Sequence, residues 1–253
     1  MRLGTTSYIY PSDVLTNVGR LAGRVSDVEL VLFEVDSRWN NLPDDGTVAE
    51  LGHLAADHDL TFTVHLPLDL GLAGDRPALE KARTVIRCTA PLLPHGYIVH
   101  LDGETTTTTD RVSAWLDNSL HSLDALVTEV GSPKLICVEN LDSQPPAMLD
   151  AILELSEVSC CVDIGHLWKQ GLDARARLES WLSRARVVHL HGVGKRDHKR
   201  LSLVPPAHLD PVVEVLTAEF DGVVTLEIFN EPDLVDSLAV FEESVRRVRG
   251  HVR

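Results

Sequence analysis

The chain has 253 residues, an ordinary globular composition (44% hydrophobic, 24% charged) and a formal net charge of −15. The length suits one domain, residues 1–253, and (β/α)8 barrels commonly run to it. The acidic balance opposes phosphate-rich surfaces, so neither nucleic acid nor an anionic membrane is expected as a partner. No apolar stretch approaches the roughly 20 residues of a membrane span. Met1-Arg2-Leu3 leads straight into a strand-like run, leaving no room for a signal peptide. Cys88, Cys137, Cys160 and Cys161 fit neither zinc-knuckle nor redox spacing. They read as core thiols of a cytoplasmic protein. Nothing in the chain fixes an oligomeric state.

Strand-like runs begin near Leu3, Glu29, Thr61, Gly96, Lys134, Ser159, Arg186 and Val223. They are continuous apolar runs, as parallel strands buried on both faces require. Helical segments are expected between them: Ser12 to Gly23, then Val48 to Asp57 with Thr47 and Glu50 as a capping box. Pro77 to Leu93 stops at Pro94. Asp110 caps Arg111 to Val130, and Gly131 ends it. Ala147 to Glu154, Asp173 to Ala185, His208 to Glu219 and Leu234 to Arg249 follow, with Thr105 to Thr109 as a loop. Eight strand–helix units in series predict an α/β fold, a (β/α)8 barrel. A doubly wound sheet is the alternative, but it would gather its site at one switch point.

Six successive runs end in a histidine or an acid: TFTVH in His65, YIVH in His100, ICVE in Glu139, CCVDIGH in Asp163 and His166, RVVHLH in His189 and His191, and VVTLE in Glu227. A buried strand ending in one charge is ordinary when the charge has a partner. Six in series describe a ring of ligands at the C-terminal mouth of a barrel. Imidazole with carboxylate suits a borderline divalent metal, zinc or manganese, at one to three ions per chain. Cys137 and Cys161 share a strand face with Glu139 and Asp163. His191 shares a face with His189 and is a ligand, an orienter or a substrate contact. His166 is expected in the loop beyond its strand. The loop after His191 carries Lys195, Arg196, Asp197, His198, Lys199 and Arg200, the one local basic cluster, and His198 and Asp197 can fold back over the site. Glu34 is a substrate contact, a helix cap or an ion-pair residue. His53, His58, His95, His121, His208 and His251 read as surface residues.

A carboxylate bridge such as Glu139 can hold two metals. Two or three ions suit phosphodiester hydrolysis, in which one acidifies the attacking water and another neutralises the leaving oxygen. One metal flanked by two glutamates suits proton shuttling beside a sugar carbonyl. The extra histidines favour more than one ion.

These residues resemble the superfamily that joins endonuclease IV with the xylose-isomerase-like TIM barrels. His65 stands in VHLP, His100 after a short apolar strand, and Glu139 in an E-N pair. Asp163 and His166 fit D-x-x-H, His189 fits a strand-end H-L, and Glu227 fits the final strand glutamate. The resemblance implies the metal set His65, His100, Glu139, Asp163, His166, His189, His198 and Glu227. One departure stands out: where the family has D-x-H, Arg196 precedes His198 by two and Asp197 is displaced by one. GTTSYIYP, VELVLFEVD with NNLP, TVHLPLDLGL, DIGHLW and HLHGV with DHKRL look like the cobamide-remodelling phosphodiesterases. That closer resemblance implies a small-molecule cobamide substrate, cut at its nucleotide-loop phosphodiester to a cobinamide-type product. Glu139, Glu227, His191 and Lys195 would be the catalytic residues. The alternatives are a metal-dependent sugar isomerase or epimerase, an abasic-site endonuclease, and a non-catalytic corrinoid- or metal-binding barrel.

Overall fold

The computed structural model describes residues 1–33, 40–68, 70–73, 76–102, 109–195 and 198–251. Eight parallel strands close into one barrel in sequence order: β1 Arg2–Thr6, β2 Asp27–Val31, β3 Thr61–His65, β4 Tyr97–Val99, β5 Ile136–Glu139, β6 Ser159–Asp163, β7 Ala185–Leu190 and β8 Val223–Leu226. Closure is direct, with Leu3 of β1 in register with Val224 of β8. This is the predicted (β/α)8 fold, and it leaves no sheet edge unpaired.

The helices are α1 Val14–Leu21, α2 Asp45–His58, α3 Arg76–Thr89, α4 Thr109–Val130, α5 Pro146–Leu155, α6 Ile164–Lys169, α7 Ala174–Trp181, α8 Pro206–Glu219 and α9 Glu231–His251. Their starts are set by short polar side chains. Asp13, Asp44, Asp163 and Asp173 each accept a backbone N–H of the first turn, which satisfies a donor the helix cannot. Three expectations shift here. The cap of α2 is Asp44, which accepts from Thr47 N at 2.8 Å, so the helix starts one turn before the Thr47–Glu50 box. Asp110 lies inside α4 rather than capping it. Asp173 stands outside α7, which ends at Trp181 so that β7 can begin at Ala185. Gly131 does end α4, at φ 79° with its N–H on Val127 O, a backbone state that suits glycine.

Each strand buries both faces. Outward residues such as Val28, Phe62, Val138, Val162, Val188 and Val224 pack under the helices in one continuous core. Inward residues fill the lumen, where Ile98, Cys137, Cys161 and Val187 form a separate small cluster. Cys137, Cys160 and Cys161 are buried free thiols and Cys88 is a half-buried one. Two residues above Cys137 and Cys161 on the same face stand Glu139 and Asp163, so this apolar plug is the floor of the site. No described helix is long and apolar enough to cross a membrane.

Candidate metal centre

The C-terminal strand ends deliver the predicted side chains to one buried spot. His65, Glu139, Asp163, His166, His189, His191 and Glu227 are buried, and His100 is half-buried. Glu139 is the hub. Its Oε2 lies 3.5 Å from His65 Nε2, 3.1 Å from His100 Nε2 and 3.5 Å from His189 Nδ1, and its Oε1 lies 3.5 Å from His166 Nδ1. His189 Nδ1 also stands 3.3 Å from Glu227 Oε2 and 3.9 Å from Asp163 Oδ2. One nitrogen therefore faces three carboxylates.

Ligand atoms of His65, His100 and Glu139 lie within 4.8 Å of one another, as do those of Asp163, His166, His191 and His198. The two groups flank the His189–Glu227 pair. His189 Nδ1 and Glu227 Oε2 are buried without a hydrogen-bond partner. Orphaned buried polar atoms are costly unless something satisfies them, and a divalent cation among these donors would do so. The donor set fits such an ion.

The ring orientations are fixed from behind. His65 Nδ1 lies 2.7 Å from Leu66 O and His166 Nδ1 lies 2.9 Å from Asn140 O. Each Nδ1–H donates to a carbonyl, which leaves Nε2 as the lone-pair nitrogen. Asn140 ties two strand ends together: its Nδ2 donates to Asp163 O at 2.9 Å, and its Oδ1 accepts Asp163 N at 2.8 Å. That is the structural use of the asparagine in the E-N pair.

His166 is not in a loop. Asp163 caps the short helix α6, accepting His166 N at 2.6 Å, so the imidazole stands on its first turn. The same aspartate serves as helix cap and candidate ligand. His191 Nδ1 accepts the His198 N–H at 3.0 Å, and its Nε2 lies 3.2 Å from Asp163 Oδ2. In that tautomer His191 holds Asp163 and His198 in place. Gly165 lies flat against it: a Cβ there would meet the His191 ring at 2.1–2.5 Å. His198 does fold back. Gly192 and Lys199 pair as an antiparallel bridge, His198 adopts φ 53°, and its Nε2 reaches Glu227 Oε2 at 3.1 Å.

Sequence reasoning missed Glu29. It sits in the middle of β2, wholly buried, and its Oε2 lies 2.9 Å from His189 Nε2. This carboxylate–imidazole pair turns the other nitrogen of His189 toward the cluster. The signal is an acid inside the apolar run DVELV, hidden when the strand is read from Glu29 rather than from Asp27. Lys195 is exposed. Glu34, Arg196 and Asp197 lie outside the described residues. His95 differs from the expected surface histidine, being half-buried with Nε2 enclosed.

Charge follows the geometry. Burial pushes the Glu139 and Glu227 carboxyls up, but the surrounding imidazoles outweigh it. His100 and His189 hold Glu139, and His189 and His198 hold Glu227, well below the usual carboxylate range. Burial alone would lower His189. Cys161, Glu29, Glu227 and Glu139 outweigh it and raise His189 well above the ordinary value.

No family model and no curated protein matches the chain. Solved structures do. A D-tagatose 3-epimerase-like protein aligns over 100% of both chains at TM-score 0.83 and 22% identity. Endonuclease IV from Thermus thermophilus covers 98% of this chain and 100% of its own at 0.72 and 18%. The fold is that of the xylose-isomerase-like TIM barrels. A 3-keto-D-glucoside 4-epimerase from E. coli covers 99% of both chains at 0.70 and 16%. Sugar epimerases and isomerases recur among the further matches. The resemblance to endonuclease IV and the xylose-isomerase-like barrels thus holds at the level of fold, and none of these structures is of a cobamide-remodelling phosphodiesterase.

Proposed function

We propose that this chain is a metal-dependent phosphodiesterase that hydrolyses the nucleotide-loop phosphodiester of cobamides. The observation that carries the reading is Glu139. Its Oε2 faces His65, His100 and His189 and its Oε1 faces His166, an arrangement suited to bridging two divalent ions. One ion flanked by two glutamates does not need His65 or His100.

Zinc or manganese ions held by His65, His100, Glu139, Asp163, His166, His189, His198 and Glu227 would supply Lewis-acid stabilisation of a phosphate oxygen and acidify water. The chain's own groups do the rest. Glu29 and Asn140 hold His189 and Asp163 in place, and His191 locks Asp163. The Cys137–Cys161 floor excludes water from below. Glu227, beside His189 and His198, is placed to accept a proton from the attacking water. The new bond joins the water oxygen to phosphorus, the phosphorus–leaving-oxygen bond breaks, and that oxygen takes up the proton. Lys195, on the loop after β7, brings positive charge toward the phosphate. The net charge of −15 favours a small substrate with one phosphodiester over duplex DNA. The cobamide assignment itself rests on the motif resemblance.

The test is a product chromatogram of protein incubated with adenosylcobalamin, with divalent metal or with chelator. Conversion to a cobinamide-type species only with metal is expected, and no product with any metal contradicts the reading. Glu139→Gln should abolish turnover with the melting temperature of the metal-free protein nearly unchanged.

A second reading is a metal-dependent sugar epimerase or isomerase, and the comparisons favour it: the TM-score of 0.83 is to a D-tagatose 3-epimerase-like protein. In that reading Glu139 and Glu227, both beside His189 Nδ1, are the acid and base around one ion. It requires turnover of a ketose and tolerance of His65→Ala and His100→Ala.

A further inference from the structure

The N-terminal face of the barrel holds a cavity of about 310 Å3, at the opposite end from the ligand cluster. It lies under adjacent strand starts. His95 precedes β4, Lys134 precedes β5, Glu157 precedes β6, Arg184 precedes β7 and Asp221 precedes β8, and all of them line it together with Arg186 of β7. This end of a barrel ordinarily serves stability, and Arg184 does so. Its guanidinium donates to Leu153 O at 3.0 Å, Ser156 O at 2.8 Å and Val158 O at 3.1 Å, which closes the end of α5.

Arg186 is placed differently. Cys160 pairs with Ala185 and Cys161 with Val187, so Arg186 is the extra residue of a bulge, and bulges re-aim side chains. Its Nε donates to His95 O, ahead of β4. Its stem runs under the apolar plug: a Cβ at Gly96 would meet Cys137 Sγ at 2.8 Å and Arg186 Cδ at 3.9 Å. The terminal nitrogens of this half-buried guanidinium, and the Nζ of exposed Lys134, have no hydrogen-bond or ion-pair partner among the described residues. Glu157 and Asp221 line the same cavity, exposed, yet no ion pair joins them to either cation there. The cavity holds the opposite charges apart. Its inner part is positive: burial lowers the His95 imidazole below its ordinary value, and the Arg186 and Arg2 charges add to that while Asp221 opposes it.

A half-buried charge without a partner is costly, and a guanidinium fork matches the oxygens of a phosphate. Exposed carboxylates at the rim are screened by solvent more than the deeper guanidinium is, and they accept hydrogen bonds from hydroxyls. We propose that this cavity is a second ligand site, separate from the metal centre, for a small phosphate monoester that carries hydroxyl groups at its other end. The phosphate pairs with Arg186 and Lys134, and the hydroxyls donate to Glu157 and Asp221. No bond is made or broken there, and the site stands whether the mouth hydrolyses a phosphodiester or epimerises a sugar.

The test is isothermal titration calorimetry of the full chain with glycerol 3-phosphate, inorganic phosphate and glycerol. Metal at the mouth can itself hold phosphate, so chelator-treated and zinc-loaded protein are compared. Glycerol 3-phosphate should bind the chelator-treated protein at one per chain, more tightly than inorganic phosphate and at least tenfold more tightly than glycerol. Arg186→Gln should raise its dissociation constant at least tenfold, and Arg186→Lys, which keeps the charge without the fork, by less. Lys134→Gln, an exposed change that leaves the fold alone, should raise it at least threefold. Glu139→Gln should leave it unchanged. A wild type that binds neither anion without metal overturns the proposal, as do dissociation constants within twofold of wild type in both Arg186→Gln and Lys134→Gln. Binding that requires zinc and disappears in Glu139→Gln places the anion at the mouth and overturns it as well.

Discussion

Glu29 and His189 show how one residue sets the chemistry of its neighbours. Both are wholly inaccessible, and their 2.9 Å contact fixes the His189 ring from behind, while the facing Nδ1 has no hydrogen-bond partner among the described residues. Outer partners of this type change metal affinity by about 10–100-fold when removed. Glu29→Gln keeps the shape and one acceptor but loses the charge. Its metal affinity, titrated against a chelating indicator, should fall within that range. An unchanged affinity would mean that the cluster orients His189 by itself. Every proposed strand-end ligand was legible in the sequence because each ends an apolar run with a charge. Glu29 was not, because an acid in the interior of a strand carries no positional mark until the partner across the barrel is known.

At the scale of the element, α6 couples the helix cap to the candidate metal centre. Asp163 begins the helix, Gly165 lets it pass the His191 ring, and His166 presents its imidazole from the first turn. Helix propensity alone favours Gly165→Ala by ~1 kcal/mol. Steric overlap with the buried His191 ring opposes it at about 1–3 kcal/mol and should win. We expect a lowered melting temperature and at least a tenfold loss of metal-dependent activity. Wild-type values in both would show that the ring can shift without cost. The sequence hid α6 because six residues between a strand and a second helix carry no readable period. The long helices and all eight strands were visible, since a continuous apolar run and a 3.6-residue stripe are distinct over that length. Boundaries slipped where two polar residues competed to cap, as Asp44 and Thr47 did.

Across the whole molecule the lumen is layered, with ionisable groups below the apolar plug as well as above it. Asp27 is fully buried near the barrel floor, accepting from Thr61 Oγ1 at 2.6 Å and Thr63 Oγ1 at 3.0 Å. Burial pushes its carboxyl up to about 7. The threonine hydroxyls and Arg2 oppose the shift, and Glu29 adds to it. The folded state then holds a proton that the unfolded chain releases near 3.8. Stability from this group is full below the unfolded value and is lost as pH rises toward 7. Asp27→Asn should therefore be near neutral at pH 5 and stabilising at pH 8 in thermal melts. Equal destabilisation at both would show that the carboxylate is needed ionised. The acidic surface and the absence of long basic stretches were plain from composition.

If Glu139 joins two ligand groups, the number of metal ions per chain shows it. Elemental analysis of protein loaded with zinc or manganese should give at least two ions per chain. The double variant His65→Ala/His100→Ala should lose one ion while keeping the one at Asp163, His189 and Glu227. One ion per chain, unchanged in that variant, would contradict the account and favour the epimerase chemistry of the neighbouring folds.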